Sequence, residues 1–150
     1  MKHYIRIHQL QKNPSLCDGP GYRKVLFLQG CRLHCEGCQN VETWNENKGE
    51  LIEVSELAQK IRLETRNKKL TISGGEPLLQ EESLLYLLEE LQDFDLCLYT
   101  GKENEEDVPE SIKKYLKYLK VGSFKQELKT TTIPFIGSTN QRFIYLKKIS

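Results

Sequence analysis

Short apolar runs alternate along this chain with apolar stripes spaced three and four residues apart, and that alternation limits the fold more than any other feature. Tyr22–Leu28 reads as a buried strand, while residues 30–49, rich in Gly, Asn and charge, predict a long loop. Val54, Leu57, Ala58 and Ile61 fall at i, i+3, i+4 and i+7, which predicts a helix over residues 54–65. Leu70-Thr71-Ile72 is a second strand, broken by Gly74-Gly75. Pro77 suits a first helical turn, and Leu84, Leu85, Leu87, Leu88 and Leu91 form the stripe of the next helix. Leu96–Tyr99 is a third strand. Pro109 opens a helix with Ile112, Tyr115, Leu116 and Leu119 on its inner face. Lys120-Val121 before Gly122 is a fourth strand, and Phe143–Leu146 adds a last one.

Strands that alternate with helices of this length pair in parallel through right-handed crossovers and bind ligands at their carboxyl ends. The loops at those ends are residues 30–40, Gly74–Pro77 and Thr100-Gly101, so three loops converge on one cleft. With 150 residues and four to five mainly parallel strands, the sheet cannot close into an eight-stranded barrel of typically ~250 residues. The expected fold is therefore α/β, a single domain over residues 1–150 built as an open, partial (βα) barrel. A chain of this size buries about two-thirds of its unfolded surface and needs no metal merely to fold. Any metal-ligand pattern then calls for a chemical explanation.

The formal net charge of +1 argues against general nucleic-acid binding. The sum conceals segregation: residues 1–75 carry +4, residues 76–110 carry −11 and residues 111–150 carry +8. Solvated helix faces explain this pattern, and a docking surface is the alternative. No apolar run approaches the ~18 residues of a membrane span. The N-terminal residues lack the apolar stretch of a secretory signal, so a soluble, cytoplasmic protein is expected.

Cys17, Cys31, Cys35, Cys38 and Cys97 are an odd number with no export signal, which disfavours a disulfide framework. Cys31, Cys35 and Cys38 are crowded into eight residues at spacings of four and three. Thiolates so placed select zinc or an iron–sulfur centre. A closed zinc site needs four ligands, and there is no second Cys-x-x-Cys pair, so zinc is the weaker reading. Three cysteines on a 4Fe–4S cluster leave one iron open, and an open metal position is where substrate chemistry happens. His34 and Cys17 are the candidates for a fourth ligand.

Cys-x3-Cys-x2-Cys followed by Gly74-Gly75-Glu76-Pro77 resembles the signature and GGE motif of radical S-adenosylmethionine (SAM) enzymes. The flanks narrow the resemblance: Asp18-Gly19-Pro20-Gly21-Tyr22-Arg23, Cys38-Gln39-Asn40, Thr43-Trp44, Leu98-Tyr99-Thr100-Gly101 and Thr139-Asn140-Gln141-Arg142. Together they are similar to the activating proteins of anaerobic (class III) ribonucleoside-triphosphate reductases, from about Tyr4 to Leu146.

The resemblance implies a 4Fe–4S cluster on Cys31, Cys35 and Cys38 whose open iron is chelated by SAM. It implies one-electron cleavage of SAM and a 5′-deoxyadenosyl radical that takes hydrogen from a glycine of the reductase large subunit, with electrons from a low-potential donor such as flavodoxin or ferredoxin. No side chain acts catalytically beyond cluster and SAM. Gly37, Gly74, Gly75, Glu76, Pro77, Thr100, Asn140 and Arg142 are the residues it places around the cofactors, with Glu76 near the SAM ammonium and Asn40 and Trp44 shaping the loop. No nucleic acid or membrane partner is implied.

Two positions depart from the pattern: Val121 stands where many members carry an acidic residue before the glycine, which puts any cation site there in doubt, and Lys102 stands where an aromatic is frequent. Two alternatives compete with this reading. One is activation of a different glycyl radical enzyme. The other is a non-catalytic iron–sulfur or zinc-binding module, although carriers usually complete their cluster with a fourth cysteine.

Overall fold

The structure is a computed structural model that describes residues 2–30, 44, 45 and 48–146. Among these residues, one mixed sheet of seven strands runs in the order β3-β1-β2-β4-β5-β6-β7. Its strands are β1 (Tyr4–Leu10), β2 (Lys24–Leu28), β3 (Glu50–Glu53), β4 (Lys69–Gly74), β5 (Asp95–Tyr99), β6 (Tyr118–Val121) and β7 (Arg142–Tyr145). The helices are α1 (Val54–Glu64), α2 (Glu81–Glu90) and the single turn α3 (Glu110–Lys113).

β2, β4, β5 and β6 are parallel neighbours, with Leu26 opposite Ile72, Ile72 opposite Leu98 and Leu98 opposite Leu119. These four strands are the expected ones, and they set the carboxyl-end geometry. β1 and β3 extend one edge in antiparallel fashion, and β7 closes the other the same way. The expectation of four to five strands falls short because β1 and β3 are edge additions that need no crossover helix.

The alternation of each strand sorts its side chains onto two unlike faces. Leu26, Leu28, Leu70, Ile72, Leu96, Leu98, Leu119 and Val121 are buried in an aliphatic layer with Leu57, Ile61, Leu84, Leu87 and Leu88 of α1 and α2. Residues of opposite parity, Arg23, Thr71, Cys97, Tyr99, Tyr118 and Lys120, form a polar and aromatic face. A helical stripe predicted through Leu119 does not form: α3 stops at Lys113, and Leu119 lies in β6 between Leu98 and Ile144. Burial between two strands outweighs a match to the 3.6-residue period over so short a segment.

Arg23 anchors the polar face. It is fully buried, and its guanidinium donates to Thr71 Oγ1 at 2.9 Å, Leu70 O at 3.0 Å, Asp95 O at 2.7 Å and Pro20 O at 3.0 Å. It also pairs with the Asp95 carboxylate at 3.0 Å. One side chain thus ties β4 and β5 to the turn that carries Asp18 and Gly19. Among the described residues, no helix is long and apolar enough to cross a membrane.

Candidate functional site

The carboxyl ends of the central strands border a cavity of about 620 Å³. β4 supplies Ser73 and Gly74, with Gly75 just beyond it. β5 supplies Tyr99, followed by Thr100 and Gly101, and β6 supplies Lys120, followed by Gly122. Leu16, Cys17 and Asp18 form one lip, with Trp44 beside them. The opposite wall is an apolar loop of Ile133, Pro134, Phe135 and Ile136, and Gln141 lies at its base.

The turn after β4 is built so that the chain can pass close to β2. Gly74 has φ +106°, and a Cβ there would meet the backbone nitrogen and oxygen of Leu28, so only glycine fits. The Gly75 amide donates to Leu28 O at 3.0 Å and the Glu76 amide donates to Gly30 O at 2.7 Å. Both donors are thereby engaged, and Gly75 lines the cavity.

Glu76 is buried and does not line the cavity. Its carboxylate accepts from Leu78 N at 3.0 Å, capping the 3₁₀ turn Pro77–Gln80, from Thr100 Oγ1 at 2.8 Å, and from Gly101 N at 2.6 Å. It joins the end of β4 to the end of β5. Pro77 is buried at the first position of that turn, where its missing N–H costs nothing.

The cavity floor holds two polar groups that sequence reasoning did not single out. Tyr99 is 8% exposed, and its hydroxyl has no hydrogen-bond partner among the described residues. Burial pushes its phenol well above the ordinary range. Lys120 places Nζ 3.8 Å from the centroid of the Tyr99 ring. Desolvation pulls its ammonium down to about 8, against the favourable charge of Asp18. The signal for both was strand alternation: Leu96 and Leu98 of β5 and Leu119 and Val121 of β6 face the helices, so Tyr99 and Lys120 must face the other way.

The motif near the C-terminus lies beside the cavity with a different member facing it. Gln141 Oε1 accepts from Gly137 N at 2.7 Å, and its Nε2 donates to Gly122 O at 3.0 Å, fastening the apolar loop to the end of β6. Asn140 donates to Ser123 O at 2.8 Å, and Arg142 is exposed at the start of β7; neither lines the cavity. Cys97 is fully buried and its thiol is pushed up to about 12 by desolvation, whereas Cys17 is exposed at the lip. Cys31, Cys35, Cys38, Gly37 and Asn40 lie outside the described residues, and no cluster of three metal-ligating side chains occurs among those described.

Known proteins match this arrangement. A family described as a 4Fe-4S single cluster domain matches residues 17–144. The chain is 33% identical over 138 residues to the anaerobic ribonucleoside-triphosphate reductase-activating protein of Enterobacteria phage T4, covering 84% of this chain and 87% of that protein. It is 34% identical over 140 residues to the protein of the same name from Vibrio cholerae, covering 85% and 90%. A pyruvate formate-lyase-activating enzyme from Clostridium pasteurianum is 41% identical over 88 residues, covering 55% of this chain and 37% of that enzyme. Among solved structures, QueE from Escherichia coli superposes with a TM-score of 0.56 at 21% identity, covering 68% of this chain and 54% of that one, a likeness of fold. By its length-spanning matches to proteins of that name and its 4Fe-4S single cluster domain, the chain belongs to the family of anaerobic ribonucleoside-triphosphate reductase-activating proteins.

Proposed function

We propose that this chain is a single-domain, cytoplasmic radical SAM enzyme on a partial (βα) barrel that installs a glycyl radical on the large subunit of an anaerobic ribonucleoside-triphosphate reductase. The reading is carried by a Cys-x3-Cys-x2-Cys segment in the sequence together with a cavity bounded by Gly74, Gly75 and Gly101 at parallel strand ends. The residues present suit SAM. The volume of about 620 Å³ falls within the ~300–1,000 Å³ range of small-ligand sites. A Tyr99 hydroxyl without a partner among the described residues, the side-chain-free lining at Gly75 and the apolar wall at Ile133–Ile136 offer contacts for a ligand with both polar and apolar ends.

Cys31, Cys35 and Cys38 would hold a 4Fe–4S cluster, with Gly37 giving the loop room, and flavodoxin or ferredoxin would supply its electron. Bound together, cluster and SAM supply one-electron cleavage of the sulfonium and a carbon-centred radical. The protein's part is orientation and exclusion of water. Gly75 would lie against the methionine end of SAM, toward whose ammonium the buried carboxylate of Glu76 would add negative potential while it holds Thr100 and Gly101 in place. Pro77 fixes the turn after Glu76. Asn140 and Arg142 support the last strand and the adenosine end of the site. The open mouth beside Leu16 and Ile133 admits a glycine-bearing loop of the reductase, which itself shields the reacting centre.

Anaerobic incubation with SAM, a reductant and a class III reductase tests this, read by electron paramagnetic resonance. A glycyl-radical doublet is the expected result. SAM cleavage without the doublet would move the radical to another glycyl radical enzyme, a reading favoured by the 41% identity to a pyruvate formate-lyase-activating enzyme. Replacing Cys31, Cys35 or Cys38 with Ala should abolish iron binding, while Cys97→Ala should retain it.

A further inference from the structure

Lys120 is a cation partly enclosed by the cavity, without an ion pair within 4 Å among the described residues. Its ammonium stands over the ring of Tyr99 at 3.8 Å, and Tyr99 lines the same cavity with its hydroxyl buried and without a partner among the described residues. Asp18 acts on Lys120 from a distance, its own Oδ2 accepting from Ser15 Oγ at 2.6 Å. Cys97 lies below, also fully buried. A desolvated ammonium beside a spare hydroxyl is costly while empty and favourable once an anion arrives.

We propose that Lys120 and the Tyr99 hydroxyl form an anion subsite in the cavity floor that takes a carboxylate. A dianionic phosphate is disfavoured because Asp18 adds a like charge nearby, while Lys120 is the one lysine among the described lining residues to balance it. The inference rests on the proposal that the cavity takes SAM, and two sources can supply the carboxylate: the methionine end of SAM, or an acidic side chain of the reductase loop. The subsite also gives a physical role to a lysine of the +8 segment that a solvated-face reading leaves without one. A lysine pulled down to about 8 is still mostly charged at neutral pH, as an anion subsite requires.

The test compares SAM with decarboxylated SAM, which lacks only the carboxylate, by anaerobic calorimetry on cluster-loaded protein without reductant. In Lys120→Met, SAM affinity should fall about tenfold and that of decarboxylated SAM should change less than about twofold. Lys120→Arg should restore most of the loss. Tyr99→Phe keeps the ring and should lower SAM affinity about threefold in the same selective way, so a poorly folding Lys120 variant leaves the test intact. If neither affinity changes but the reductase concentration for half-maximal radical formation rises about tenfold, the carboxylate belongs to the partner and the subsite stands. Equal weakening of both nucleosides, or no change in any of these quantities, overturns it. Failure of the parent protein to bind either nucleoside would instead overturn the SAM reading.

Discussion

The Glu76 carboxylate accepts the Thr100 hydroxyl at 2.8 Å and so spans the gap between two strand ends that share no sequence neighbourhood. The same carboxylate accepts from Gly101 N, so the cavity rim at β5 is positioned by a side chain from the turn after β4. Removing it in Glu76→Ala leaves Thr100 and two backbone amides without their acceptor. A loss of about 3 kcal/mol is expected, with Thr100→Val costing about 1–2 kcal/mol. Urea unfolding of both variants and of the double variant checks this. Strict additivity would show that the contact is not energetically coupled.

Arg23 braces β4 and β5 from one buried side chain. Arg23→Met removes donors from three backbone carbonyls and, among the described residues, leaves Asp95 with only Lys117, at 3.6 Å, for compensation. Breaking a buried pair from one side costs about 3–5 kcal/mol. The urea midpoint should fall accordingly with the slope unchanged. A shift below about 1 kcal/mol would mean that the brace is dispensable.

Alkaline pH should erode stability through Cys97. Its thiol titrates near 9 when unfolded and is pushed up to about 12 in the fold. The raised value means that the folded state keeps the proton that the unfolded state loses. Its contribution is fully present below pH 9 and declines as pH climbs toward 12. Between pH 8 and 10.5 the parent should lose more stability than Cys97→Ala. Tyr99 acts in the same direction in both proteins and cancels in the comparison.

Gly75 lines the cavity and is not among the glycines with positive φ, so Val can adopt its backbone conformation. Gly75→Val should therefore fold and keep its iron, while SAM affinity drops by about tenfold or more because the added methyl groups occupy ligand space. Calorimetry against iron content separates these effects. Unchanged SAM affinity would place the ligand away from this turn.

The central strands were legible because Leu70-Thr71-Ile72 and Leu96–Tyr99 are short apolar runs flanked by breakers. β1 was not: Ile5 and Ile7 alternate with Arg6 and His8, a pattern of two apolar residues that is too brief to stand out. The helix expected through Leu119 failed because four apolar positions satisfied one period while cross-strand pairing with Leu98 and Ile144 decided the outcome. Around the cavity, Gly74, Gly75 and Thr100 could be read from sequence as residues at strand ends, whereas Glu76 and Pro77 of the same motif do not line it. Lys120 could not be so read, since a lysine near a chain's basic end reads as surface until its strand neighbours are known. The segment 139–142 was recognised as a unit, yet Gln141 faces the cavity rather than Asn140 or Arg142, a matter of parity that requires the register of β7.

The two-faced sheet also sets the phase of β2. Leu26 and Leu28 point into the aliphatic layer while Arg23 points the other way, to Thr71 and Tyr118. Sliding β2 by a single residue would drive a guanidinium among leucines and turn both leucines toward water. Only a two-residue slip would preserve the faces, and that would carry Arg23 away from Asp95. The strand has one permitted alignment, so Gln29 and Gly30 leave the sheet from a fixed point.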